Sequence, residues 1–380
     1  ISYYYGNVYL DRDTVVVRAD SAHVLRDRDV VRLFDNVRLR HHETRVASDW
    51  AEYRRDLGEA DLRGRVRVVE GVALATARRG ELRDELQLLR LFEDAVLITP
   101  DYNVRADTLL RDRRLEYGEA FGRVRIMDPE GGSLVTGRHA LFASDGTWAE
   151  VDEDPTLVTS EGDGSAPVQS IAGRMRFYRQ EERAVMTDSV VIAQGRMRAF
   201  ADTAISFGQQ RMLLRGEPRL EQGERSRMTG DQIEFFYRDG ELRRVILLGA
   251  ARMEDTEPES LASIYRGLPA MDIIEGDSIT VHFRAGRIDR TDVVGNASSI
   301  YVPMETGDEI AFNEVAGDTL VLRFADQRVR EVEVRGNMSG IYRFARVGAM
   351  RGERPPLLDV STLDSLSTVA GILLNAADTT

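Results

Sequence analysis

The sequence predicts an all-β fold, an elongated repeat solenoid of about ten bent hairpins with short helical insertions. Three observations predict it: a repeat of 29 residues, apolar residues alternating with charged ones, and a pair of small or polar residues in the middle of each apolar run.

The repeat is carried by two interleaved landmarks. Ala19-Asp20, Ser48-Asp49, Ala77-Arg78 and Ala106-Asp107 stand 29 residues apart each time. Between them run Gly6-Asn7-Val8, Asp35-Asn36-Val37, Gly64-Arg65-Val66, Asp94-Ala95-Val96 and Gly122-Arg123-Val124, at intervals of 29, 29, 30 and 28. After an interruption the first landmark resumes as Ala201-Asp202, Gly230-Asp231, Gly276-Asp277 and Gly317-Asp318. The second resumes at Gly216, Gly249, Gly295-Asn296 and Gly336-Asn337, and Gly137-Arg138 and Gly173-Arg174 are weaker copies of the repeat.

Within a repeat, Val37 and Leu39 alternate with Arg38 and Arg40, Val66 and Val68 with Arg65 and Arg67, and Val124 and Ile126 with Arg123 and Arg125. A period of two is that of half-buried strands. Asp27-Arg28-Asp29, Asp56-Leu57-Gly58, Asp112-Arg113-Arg114 and Asp239-Gly240 read as the tight links between them. The landmarks lie at mid-strand, where small residues and Asn or Asp tolerate unusual backbone angles, so each strand is expected to fold at its midpoint. Stacked bent strands then form two facing sheets joined along a crease: a taco-like β-jellyroll with an apolar interior.

Three segments depart from the pattern and divide the chain. Residues 1–143 read as an N-terminal jellyroll half and 144–170, acidic and rich in Gly, Ser and Pro, as a loop or hinge. Residues 171–345 read as a C-terminal half, interrupted at 254–275 by a short helix around Pro258 to Tyr265. The tail, 346–380, contains STLDSLSTVAGILLNA, an amphipathic helix that would cap an open end.

Composition narrows the function. A net charge of −13 argues against general nucleic-acid binding, although all 51 basic residues are Arg. Cysteine is absent, which removes disulfides, thiolate metal sites and Cys nucleophiles, and no apolar run approaches the ~20 residues of a membrane span. The chain begins at Ile1 within an apparent strand, which fits either a signal or anchor segment trimmed from it or a fragment of a longer chain. His41 and His42 fall in an expected exposed turn, and His23 and His282 beside outward strand residues, so no metal site is expected and no cofactor is implied. GxSxG, HExxH and P-loop patterns are absent. A carboxylate repeated in every turn, such as Asp20, reads as a structural acceptor for backbone N–H groups at the bend rather than a catalyst. The chain reads as a non-enzyme.

What remains is the interior. Counting two and four residues on from the repeated Asp gives Ala22, Val24, Ala51, Tyr53, Leu109, Ala204, Ile233, Phe235, Ile279, Val281, Leu320 and Leu322, broken only by Arg111 and Ser206. The alternating strands add Val37, Leu39, Val66, Val68, Val124 and Ile126. A packed core explains this face, and so does a groove for acyl chains with Arg on its rim or outer face.

The motif itself, Ala19-Asp20-Ser21-Ala22 followed by Asp35-Asn36-Val37, with Gly276-Asp277-Ser278-Ile279, Gly295-Asn296 and Gly336-Asn337-Met338, resembles the LptA/OstA (organic solvent tolerance) family of lipopolysaccharide-transport proteins. The resemblance implies a periplasmic β-jellyroll bridge that shields lipopolysaccharide or related glycolipid acyl chains, stacks edge to edge with jellyroll proteins of the inner and outer membrane, and performs no chemistry. It also admits the periplasmic part of the outer-membrane translocon subunit. A structural or adhesive solenoid with a packed core is the alternative from another class.

Overall fold

The computed structural model describes the chain except for residues 13–14, 85–86, 129–131, 161–165, 240, 257–270, 286, 302–308, 326–327 and 347–380. Apart from one turn of 3-10 helix at Arg26–Arg28, the regular elements described are all β-strands. The helices expected at 258–265 and in the tail lie outside the described residues. Two compact units, Ile1–Met186 and Thr187–Thr380, divide the chain.

The first unit contains β1 (Ser2–Arg12), β2 (Val15–Leu25), β3 (Val30–His41), β4 (Thr44–Arg54), β5 (Glu59–Glu70), β6 (Ala73–Arg83), β7 (Leu88–Ile98), β8 (Asn103–Asp112), β9 (Tyr117–Met127) and β10 (Ser133–Ala143), each antiparallel to the next. Four shorter strands follow: β11 (Trp148–Asp152), β12 (Thr156–Thr159), β13 (Val168–Ile171) and β14 (Arg174–Tyr178). β11 pairs with one half of β10 and β12 with the other, so together they are one more bent pass. The segment read as a loop or hinge therefore carries strands. Its acidic pair Glu153–Asp154 is the bend of that pass, at φ 56° and 64°.

The bend has one local cause throughout. Asp35 and Asn36 both have positive φ, 56° and 50°, as do Gly64 and Arg65, 71° and 43°, and Gly122 and Arg123, 68° and 40°. Two consecutive left-handed residues oppose a single residue of the neighbouring strand, a β-bulge that turns the chain. Asp35–Asn36, for example, fits between Phe34↔Trp50 and Val37↔Ser48, opposite Asp49 alone. Gly at the first position does more than relieve φ: a Cβ on Gly64 would stand 2.5 Å from Asp49 Oδ2, and Gly122, Gly216, Gly249, Gly295 and Gly336 meet their own Asp in the same way.

The repeated carboxylate is held by side chains rather than by backbone N–H groups as expected. Asn36 Nδ2 donates to Asp20 Oδ2 at 2.7 Å, Arg65 Nε to Asp49 Oδ1 at 2.9 Å, and Arg123 Nε to Asp107 Oδ1 at 2.8 Å. Asn296 and Asn337 donate to Asp277 and Asp318, each at 3.2 Å. Where the first landmark carries Arg, the signs invert: Arg78 meets Asp94 at 3.0 Å, and Arg138 meets Asp154 at 2.7 Å.

Each strand of the first unit thus contributes one segment to a first wall and one to a second wall. In β3 these are Val37–His41 and Val30–Phe34. Inward residues of both walls, Val17, Leu39 and Val68 from the first and Ala22, Leu33 and Leu62 from the second, belong to one apolar core.

The second unit repeats the scheme. Its strands are β15 (Arg183–Gln194), within which the division falls, β16 (Met197–Phe207), β17 (Arg211–Arg215), β18 (Arg219–Gln222), β19 (Ser226–Thr229), β20 (Gln232–Arg238), β21 (Glu241–Thr256), β22 (Met271–Arg284), β23 (Arg287–Tyr301), β24 (Glu309–Ala325), β25 (Arg328–Arg335) and β26 (Ser339–Arg346). Passes broken at the crease reappear here: β17 and β18 pair with successive halves of β16, on either side of Gly216 and Glu217.

Candidate functional site

The inward face of the second wall is a continuous cross-strand ladder. Ala22 pairs with Leu33, Leu33 with Ala51, Ala51 with Leu62, Leu62 with Gly80, Gly80 with Leu91 and Leu91 with Leu109. From Ala22 to Gly80 large side chains alternate with small ones, and Leu91 then meets Leu109. Leu33, Leu62 and Leu91 are absent from the residues singled out by sequence, yet each stands two places before a left-handed pair. In the second unit the corresponding ladder is Ile233, Leu247, Ile279, Val293 and Leu320.

In the first unit Ala22, Val37, Leu39, Ala51, Tyr53, Val66, Val68, Leu109 and Val124 are buried in the common core, whereas Val24 and Ile126 are half-buried and pack against it, although Val24 shares a cross-strand row with the buried Val31 and Tyr53. In the second unit Ile233, Phe235, Ile279, Val281, Leu320 and Leu322 are all buried.

Opposite the crease the two walls of the first unit are joined at their tips by polar contacts. Arg113, in the turn after β8 at the tip of the second wall, donates to Thr44 Oγ1 at 2.5 Å and lies 3.6 Å from Glu70, both at the tip of the first. Tyr102 Oη donates to the Ala143 carbonyl at 3.2 Å, and Arg179 pairs with Asp101 at 2.6 Å, again from wall to wall. Burial pushes the Tyr102 hydroxyl up to about 12, against the opposing pull of the Arg111 charge. Arg111 itself is an inward cation at the ladder's edge, its Nε buried without a hydrogen-bond partner.

His41 corrects an expectation. It ends β3 facing inward and is buried, with ring Nδ1 unpartnered and its pKa lowered by burial, then by the charges of His42 and Arg113. His42 is exposed and stacks on it, ring centroids 4.4 Å apart. Among the described residues no three His, Cys, Asp or Glu side chains are grouped to hold a metal ion.

The family model described as "LptA/(LptD N-terminal domain) LPS transport protein" matches residues 1–117. No curated protein matches the sequence. Among solved structures, LptH, the LptA homologous periplasmic component of the conserved lipopolysaccharide transport device from Pseudomonas aeruginosa, aligns locally. It is 12% identical, with a TM-score of 0.26, over 28% of this chain and 75% of that one. The family match, over residues 1–117, points to the lipopolysaccharide-transport proteins in general. Among the described residues no helix is long and apolar enough to cross a membrane.

Proposed function

We propose that the protein is a periplasmic carrier or bridge in lipopolysaccharide transport, whose interior takes up acyl chains of lipopolysaccharide or a related glycolipid between the two walls of a unit. The observation that carries this reading is a continuous apolar ladder whose far side is held by a few polar contacts, Arg113–Thr44, Tyr102–Ala143 and Arg179–Asp101, rather than by covalent or sheet closure. Separating such contacts costs far less than separating a sheet, because only a few hydrogen bonds are exchanged for bonds to water. The groove lining would be the ladder and its margins: Val24, Tyr53 and Ile126 near the mouth, with Phe235, Ile279 and Leu322 in the second unit. Stacking on edge strands of other jellyroll proteins in the inner and outer membranes belongs to the same reading.

A second reading, a structural solenoid with a packed interior, is favoured by the near-complete burial of Ala22, Ile233 and Ile279. Photoreactive residues at Val24, Tyr53, Phe235 and Ile279 in a Gram-negative envelope separate the two. Capture of glycolipid at these sites supports transport, and its absence at all four leaves the packed solenoid.

A further inference from the structure

The outer face of the first wall, in the first unit, is unlike every other charged surface described in the chain. Arg18, Arg38, Arg40, Arg45, Arg67, Arg105 and Arg125 alternate with buried residues such as Val17, Val37, Leu39 and Val66, and all seven are exposed. None has a carboxylate within ion-pair distance among the described residues. Strand register sets Arg18 directly opposite Arg38 and Arg40 directly opposite Arg45, pairings that repel.

The contrast with the second wall is sharp. There Arg32 meets Glu52 at 2.8 Å, Arg54 meets Asp61 at 2.6 Å, Arg79 meets Glu81 at 2.7 Å and Arg83 meets Asp61 at 2.5 Å. The corresponding face of the second unit is also paired, as Arg219–Glu221 at 2.8 Å and Arg252–Glu254 at 2.5 Å. Four of the nearby crease carboxylates are already engaged, Asp20 by Asn36, Asp49 by Arg65, Asp94 by Arg78 and Asp107 by Arg123. In a chain of net charge −13, five guanidinium groups, Arg18, Arg38, Arg40, Arg45 and Arg67, gather here without a carboxylate among them, while Arg105 and Arg125 share a hollow with Asp94, Asp107, Glu153 and Asp154.

The chemistry of that partner follows from what accompanies the arginines. Arg18, Arg38, Arg40, Arg45 and Arg67 surround a hollow of ≈ 340 Å³ together with Tyr9, Val16 and Val69. The cross-strand row nearer the wall tips continues from Arg40 and Arg45 into Val69, Leu74 and Ile98, with Met127 and Leu134 farther along. Ile98 is 44% and Met127 40% exposed. Arginine binds phosphate oxygens bidentately, and an adjoining apolar strip suits the boundary between headgroups and acyl chains. A soluble polyanion would leave that strip unused.

We infer that the outer face of the first wall docks on an anionic lipid surface, its arginines on the lipid phosphates and its aliphatic row against the headgroup boundary. This does not rest on the proposed groove function: the docking residues point away from the interior, so either can fail alone.

The test is flotation of the 380-residue protein with vesicles of phosphatidylcholine alone and of phosphatidylcholine mixed with phosphatidylglycerol. Binding to the anionic vesicles only, weakening as ionic strength rises, is expected. The combined change Arg18→Gln, Arg38→Gln, Arg40→Gln and Arg45→Gln should weaken it about fivefold per arginine, several hundred-fold in all. That variant should melt no lower than the parent, since it relieves like-charge pairs. The matched change Arg32→Gln, Arg63→Gln, Arg79→Gln and Arg90→Gln on the second wall should leave binding nearly intact, and Ile98→Ser with Met127→Ser should weaken it independently. Equal binding to both vesicles, equal loss from both arginine sets, or full displacement by inorganic phosphate at constant ionic strength would overturn the inference.

Discussion

Arg113 donates a hydrogen bond to Thr44 Oγ1 across 2.5 Å, and this joins the tips of two walls whose strands fold into one another at the crease on the far side. The two residues are 69 positions apart in sequence. With the neighbouring contact to Glu70 at 3.6 Å, the guanidinium acts as a strut across the mouth of the first unit.

Replacing Arg113 by Ala removes the strut without touching the ladder. The expected cost is about 1–2 kcal/mol of stability, typical of a hydrogen bond with one charged partner. Amide exchange should accelerate at the wall tips, around residues 41–44 and 70–73, while the crease stays protected. Uniform acceleration throughout the first unit would show that Arg113 supports the core instead.

Alkaline pH probes the same mouth. Folded Tyr102 holds its proton until about 12, whereas the unfolded chain releases it at 10.0, so the stabilisation is intact below pH 10.0 and is lost as the pH rises to about 12. The chain has no Lys, which leaves tyrosines as the side chains titrating in that window. Over it, the parent should lose on the order of 2–3 kcal/mol more stability than Tyr102→Phe. Denaturant midpoints at stepped pH measure the difference, and parallel curves would refute it.

Gly64→Ala tests the crease. The new Cβ meets both a positive φ of 71° and the Asp49 carboxylate, so a loss of about 1–3 kcal/mol is expected. Ala at Gly71, which has positive φ but open space around it, should cost less. Thermal melts of the two variants rank them.

Leu62→Ala separates core from groove lining. Leu62 is 1% exposed between Ala51 and Gly80, and its loss should cost about 2–5 kcal/mol through the cavity left behind. Val24→Ala, at the half-buried margin, should cost markedly less.

Much of this was legible in the sequence because the crease uses the same chemistry in every repeat. Ala19-Asp20 and Asp35-Asn36 announce the bend, and the alternation around Arg38 and Arg67 announces which residues turn inward. Three things were hidden. Asp20 is recognisable as structural, but its partner, Asn36, lies 16 residues on and is found only when the register is known. The bend at Glu153–Asp154, followed by Pro155, has the composition of a loop although strands flank it on both sides. Arg113, Thr44 and Glu70 match no motif, since contacts between wall tips depend on how sharply each strand folds. His41 was misassigned for a related reason: it adjoins a turn, but strand parity directs it inward.

The most direct test of acyl-chain uptake is a distance across the mouth with and without lipid. The chain has no cysteine, so Leu57→Cys and Val72→Cys, on exposed turns at the two ends of β5, provide a unique spin-label pair. Addition of lipopolysaccharide should widen the label distance by about 4 Å, the thickness of one inserted carbon layer. An unchanged distance, under conditions where lipopolysaccharide is bound, would contradict entry between the walls.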